Sequence, residues 1–142
     1  MKNQIKYITI GFFLLMVFSV FSSIVEHLFF IERMQVYQLQ LSQEFKANLW
    51  LLVTPLIIAP IFEEWLFRGI ILSKLNKKFP FAISNIICAS LFAIAHLDWF
   101  LLPYFLNGLV YGWVKMRTDH LYPVMLLHGF YNGIALATLM NN

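Results

Sequence analysis

Apolar residues fall into five runs along the chain: Tyr7 to Ile31, Leu49 to Leu72, Phe81 to Leu97, Phe100 to Val114, and Leu121 to Met140. Runs of this kind predict membrane helices, since a span takes about 20 predominantly apolar residues. Between the first two, Gln35 to Lys46 reads as an interfacial or aqueous segment. The pattern predicts an all-α fold: a polytopic membrane helix bundle of about five transmembrane helices. The first run follows Lys2 and Lys6 as a signal peptide would, but its apolar region is long and no A-x-A site follows, so it reads as a retained helix. Without repeats or low-complexity linkers, residues 1–142 read as one membrane domain. Residues 1–48 form an N-terminal helix and interfacial segment, and 49–140 a helical core.

Composition removes the soluble alternative. The chain is 61% hydrophobic and 12% charged, against about 45–50% and about 25% for a soluble domain. Charge then sets orientation rather than partners. With the N-terminus inside, five crossings put Lys2, Lys6, Lys74, Lys77, Lys78, Lys115 and Arg117 on the cytoplasmic side and leave Arg33 and Lys46 outside. That bias predicts N-terminus in and C-terminus out, as a multi-pass protein of the cell membrane. The formal net charge of +3 is thereby used by topology and implies no nucleic acid. The single cysteine, Cys88, lies in an apolar run and reads as a packing residue.

Several polar residues stand where a bilayer should not contain them. The second run holds Glu63, Glu64 and Arg68 among fourteen Leu, Ile, Val and Phe residues. Three such charges cost roughly 8–10 kcal/mol against a return of about 4–8 from the apolar residues, so their retention points to function. Glu64 and Arg68 are i and i+4 on one helical face and can pair, while Glu63 is turned about 100° away as the freer base. Pro60 removes a donor beside the carbonyl of Leu56, so the helix should kink or open next to the pair. In the third run His96 follows Phe92 by four residues. In the fifth, His128 and Asn132 share a face beside Gly129 and Gly133. A carboxylate dyad, two histidines and an amide converging between helices have the makings of a reaction centre. Tyr111 and Tyr131 could point at this centre but read better as core packing, and Asn107 reads as a hydrogen-bonding residue between helices.

Two glycine pairs, Gly108 with Gly112 and Gly129 with Gly133, allow close backbone approach. They predict tight packing of the last two helices, with a homodimer interface as the competing use. Depth is harder to reconcile. At about 1.5 Å per residue from the cytoplasmic ends, His128 lies about 10 Å in, Glu63 about 16 Å and His96 nearer 24 Å. Either the third helix tilts or starts in the interface, or the Asp98 to Pro103 turn is sunk in a protein-lined cavity.

Glu63-Glu64-Trp65-Leu66-Phe67-Arg68, Phe92 to His96 and His128 to Asn132 resemble the E-E-x-x-x-R, F-x-x-x-H and H-x-x-x-N motifs of the CAAX protease and bacteriocin-processing (CPBP, or Abi) family of intramembrane proteases. The resemblance runs from about Leu49 to Leu139; the chain is short for the family, whose members carry additional helices. It implies an intramembrane endopeptidase acting on a membrane-associated peptide or protein, in peptide or bacteriocin maturation or self-immunity. Carried over by position, Glu63 and His96 activate water, Glu64 and Arg68 support them, and His128 with Asn132 stabilises the oxyanion. The family has been described both as metal-dependent and as using a metal-free glutamate. If a divalent metal such as zinc is used, Glu63, His96 and His128 are its ligands with water in the fourth position, although the compact H-E-x-x-H arrangement is absent. Two other classes compete: a non-catalytic binding or bacteriocin-immunity protein using the same groove, and a proton relay or small transporter resting on intramembrane Glu and His.

Overall fold

The computed structural model describes residues 2–141, with side chains described for 4–29 and 42–141. Five helices follow one another: α1 (Lys2–Ala47), α2 (Leu49–Leu75), α3 (Phe81–Ala95), α4 (Leu102–Thr118) and α5 (Tyr122–Asn141). They correspond to the five apolar runs and form the expected helical membrane bundle, without strands among the described residues. α1 continues as helix through the segment expected to be interfacial. The side chains of residues 35–41 in that segment, with those of Lys2, Ile31, Glu32, Arg33 and Asn142, lie outside the described residues.

Local chemistry sets the breaks. Asn48 leaves the helix in an extended conformation, and its side chain accepts from the Trp50 amide. Pro80, also extended, leads into α3. His96 closes α3, Leu97 turns the chain at φ 51°, and the Asp98 carboxylate accepts from the Phe100 amide at 3.2 Å. Asp119 ends α4 in the left-handed region at φ 57°.

α2 is not uniformly wound. The α-helical turn Ala59–Glu64 is flanked by π-helical turns, Thr54–Ile58 before it and Trp65–Ile71 after it. The opening expected beside Pro60 is therefore the first of these wider turns. Their displaced carbonyls find partners: the Asn132 amide donates to Pro55 O (2.9 Å), the Cys88 thiol to Phe67 O (3.2 Å) and the Ser73 hydroxyl to Arg68 O (3.3 Å). A backbone that could not re-satisfy these groups would not persist in a membrane.

Among the described residues three helices are long and apolar enough to cross a membrane: Gln4–Phe29, Leu49–Leu75 and Tyr122–Asn141. α3 and α4 have 15 and 17 residues. At about 1.5 Å per residue they reach about 22 and 25 Å, short of a hydrocarbon core of about 30 Å. α3 ends at His96, and the fold brings that residue to 3.9 Å from Glu63. The separation counted along straight, parallel helices is therefore absent from the folded chain.

The shared core joins Leu15 of α1, Phe67 and Leu72 of α2, Cys88 and Phe92 of α3, Val110, Tyr111 and Val114 of α4, and Val124 and Leu127 of α5. Phe13, Phe21, Ile57, Phe62, Leu126 and Phe130 are exposed on the outside, as expected of helices solvated by lipid.

The glycines correct one expectation. Gly108 and Gly112 do not pair the last two helices; they seat α4 on α3. A Cβ at Gly108 would stand 3.0 Å from the Ala89 backbone, and one at Gly112 only 1.8 Å from the Asn85 side-chain oxygen. Gly129 instead brings α5 onto α2, where a Cβ would stand 2.5 Å from Leu56 O, and Gly133 faces the Leu56 side chain. The glycine faces offered as an alternative homodimer interface make these contacts within one chain. Gly112→Ala is expected to destabilise the bundle by about 1–3 kcal/mol, because Asn85 must move and give up its 2.9 Å bond to Leu109 O. Thermal unfolding in detergent micelles reads this directly, and an unchanged midpoint would refute it.

Candidate active site

The turn Ala59–Glu64 ends in the two carboxylates, which face different environments as the helical spacing predicts. Glu64 is fully buried: its Oε1 accepts from Arg68 Nη1 at 3.1 Å and from His128 Nδ1 at 2.9 Å. Arg68 is buried as completely, and its Nη2 donates to Gly108 O at 3.0 Å. The guanidinium lies 4.3 Å above the Phe92 ring and 5.3 Å from that of Tyr111. Gly108 thus serves Arg68 as well as helix packing: a Cβ there would come within 3.4 Å of Nη2.

Glu63 remains partly accessible, its side chain 26% exposed, with its Oε2 turned inward and buried. Its Oε2 lies 3.9 Å from the Nε2 of both His96 and His128 and makes no hydrogen bond. The other ring nitrogens fix what those Nε2 atoms can do. His96 Nδ1 lies 2.8 Å from Phe92 O, and His128 Nδ1 lies against the Glu64 carboxylate. Both partners are acceptors, so each Nδ1 carries a proton, and, in the tautomer this selects for a neutral ring, Nε2 presents its lone pair toward Glu63. A carboxylate and two imidazole lone pairs converge on one point, a geometry suited to taking protons from a water placed there.

Aromatic rings hold the imidazoles. His96 stacks on Tyr104 at 4.1 Å between ring centroids, and the Tyr104 hydroxyl donates to Asp98 at 2.9 Å. His128 stacks on Tyr111 at 4.6 Å. Phe92, the first residue of the second motif, lies edge-on between Phe67, His96 and Tyr111. Phe92, His96, Tyr104, Tyr111 and His128 line, with Glu63, a cavity of about 320 Å³ whose wall also includes Asn107, Tyr131 and Asn132. All of the residues picked out in the sequence therefore meet in one place, directly at the cavity or immediately behind it.

The donor set has the right type for zinc, but its spacing does not fit. Two ligands at about 2.0–2.1 Å from a tetrahedral ion stand about 3.3–3.4 Å apart, whereas Glu63 is 3.9 Å from each imidazole. Among the described residues no group of three His, Cys, Asp or Glu side chains could hold a metal ion.

The sequence reading missed the Tyr104–Asp98 support of His96, for which no helical spacing across the connecting turn gives a signal. Tyr111 and Tyr131, read as core packing in preference to pointing at the site, do both: they pack in or against the core and line the cavity.

Residues 44–134 match the family model described as type II CAAX prenyl endopeptidase Rce1-like. The UPF0177 protein YxdF of Lactococcus lactis subsp. lactis (strain IL1403) is 35% identical over 79 residues, covering 54% of this chain and 42% of that protein. The membrane-embedded CAAX protease MroQ of Staphylococcus aureus (strain USA300) is 30% identical over 93 residues, covering 60% of this chain and 38% of that protein. The chain thus spans about two fifths of the length of these relatives. No solved structure matches it.

Proposed function

The chain belongs to the type II CAAX prenyl endopeptidase Rce1-like family, and from that membership we propose that it is an intramembrane endopeptidase. It acts on a membrane-associated peptide or protein as a multi-pass protein of the cell membrane, N-terminus in and C-terminus out. The observation that carries this reading is the Glu63 carboxylate facing two imidazole Nε2 atoms at 3.9 Å beside a cavity of about 320 Å³.

In the proposed reaction Glu63 and His96 orient a water. Its oxygen bonds to the carbonyl carbon, the C=O π pair moves onto oxygen, and a water proton passes to Glu63. Collapse reforms the carbonyl and breaks the C–N bond, while Glu63 returns the proton to the leaving nitrogen. Glu64 and Arg68 act behind the site, fixing the tautomer and tilt of His128. His128 and Asn132 face the oxyanion, His128 donating from Nε2 in its doubly protonated form. Peptide maturation or self-immunity is the setting proposed for the activity.

No metal is needed for any of these steps, so treatment of the purified protein with 1,10-phenanthroline or EDTA is expected to leave cleavage intact. Loss of activity restored by added zinc would overturn this.

The reading is tested without a guessed substrate by comparing membrane and secreted peptides between cells carrying the wild-type chain and cells carrying Glu63→Gln at matched levels. A cleaved terminus that disappears in the variant is the expected result and names the substrate. An unchanged peptide profile with an intact phenotype would replace the peptidase with a non-catalytic binding or immunity protein.

A further inference from the structure

One residue of the cavity wall, Tyr111, carries a hydroxyl with no task in the scheme above. Tyr111 is 1% exposed, and its hydroxyl has no hydrogen-bond partner. Packing does not account for it, because phenylalanine would make the same stack on His128 (4.6 Å, rings 24° apart) and the same edge contact with Phe92 (6.2 Å). Buried hydroxyls are almost always paired, and an unpaired one in a native site calls for an explanation in terms of what binds there.

The donors the scheme assigns to the oxyanion are also engaged elsewhere. A carbonyl attacked by water beside Glu63 gains negative charge on its oxygen, which needs N–H or O–H groups aimed at it. His128 uses its Nδ1–H on Glu64 and presents a lone pair at Nε2 while neutral. The Asn132 amide places one hydrogen on Pro55 O, and the Tyr104 hydroxyl is bound to Asp98. Tyr111 lines the cavity and lies flat against the imidazole whose Nε2 faces Glu63. We propose that Tyr111 is a further catalytic residue, its hydroxyl donating to the carbonyl oxygen of the scissile bond as that oxygen becomes an oxyanion. The inference rests on the peptidase reading and adds a donor that none of the three motifs contains. The hydroxyl keeps its proton throughout, so the atom balance of hydrolysis is unchanged.

The test uses wild type, Glu63→Gln and Tyr111→Phe in lipid nanodiscs, with the peptide identified by the cellular comparison above as substrate. Tyr111→Phe keeps the ring stack and is expected to lower kcat by about 10²–10³-fold with KM nearly unchanged, the usual effect of deleting one oxyanion donor. If Glu63→Gln is inactive while Tyr111→Phe matches wild type, the Tyr111 proposal falls and the peptidase reading stands. If Glu63→Gln cleaves like wild type, the peptidase reading falls and takes the proposal with it. Should Tyr111→Phe fail to fold, 3-fluorotyrosine at position 111 replaces it. That residue keeps the shape and makes the phenol a stronger donor, so a shifted kcat is expected and an unchanged one overturns the proposal.

Discussion

Glu63→Gln is expected to lower kcat by about 10²–10⁴-fold, the usual contribution of a positioned general base, while leaving the unfolding midpoint where it is. The amide has the shape of the carboxylate but cannot take a proton from water or return one to the leaving nitrogen. Stability should not follow activity, because little depends structurally on this side chain. Its Oε2 makes no hydrogen bond, the nearest imidazole nitrogens are 3.9 Å away, and the group is 26% exposed. Initial rates on the identified peptide and unfolding in detergent, measured on one preparation, separate the two effects. Cleavage within a few-fold of wild type would remove Glu63 from the chemistry. A collapse of the unfolding midpoint would instead make it a structural residue.

The contrast between neighbouring carboxylates was legible in the sequence because it needs only helical geometry. Spacing of i and i+4 joins Glu64 to Arg68 and turns Glu63 away, and the 3.1 Å ion pair follows that rule even though the turn after Glu64 is π-wound. Pro60 likewise announced a disturbance in α2. It could not announce that the disturbance would recur beyond Glu64, or that Asn132, Cys88 and Ser73 would take up the displaced carbonyls. Those partners come from elsewhere in the chain or from the altered winding itself, where no helical period reports them. His96 shows the same limit. Counting along straight helices put it far from Glu63, whereas the two side chains lie 3.9 Å apart; a count along each helix alone omits how α3 is set against α2. Gly108 was read as a packing residue, correctly but incompletely. Its second role, offering its carbonyl to Arg68, depends on where α4 lies against α2.

Arg68→Leu is expected to destabilise the protein by about 3–5 kcal/mol, because it leaves the Glu64 carboxylate uncompensated at a position with no exposure. Adding Glu64→Leu should recover part of that loss, since a buried ion pair replaced on both sides by apolar residues no longer strands a charge. Recovery stays incomplete because Gly108 O loses its donor, a cost of about 1–3 kcal/mol for an unsatisfied buried group. Activity should not return with stability. Without Glu64, nothing holds the proton on His128 Nδ1, and the Nε2 lone pair aimed at Glu63 is no longer fixed in place. Unfolding midpoints and cleavage rates of the single and double variants decide the matter. A double variant no more stable than Arg68→Leu would mean that packing, not the stranded charge, causes the loss. An active double variant would mean that His128 does not depend on Glu64 for its orientation. The expected pattern, folded but inactive, assigns the buried pair a positioning role: it sets the tautomer of one imidazole in a site whose acceptors all face the same point.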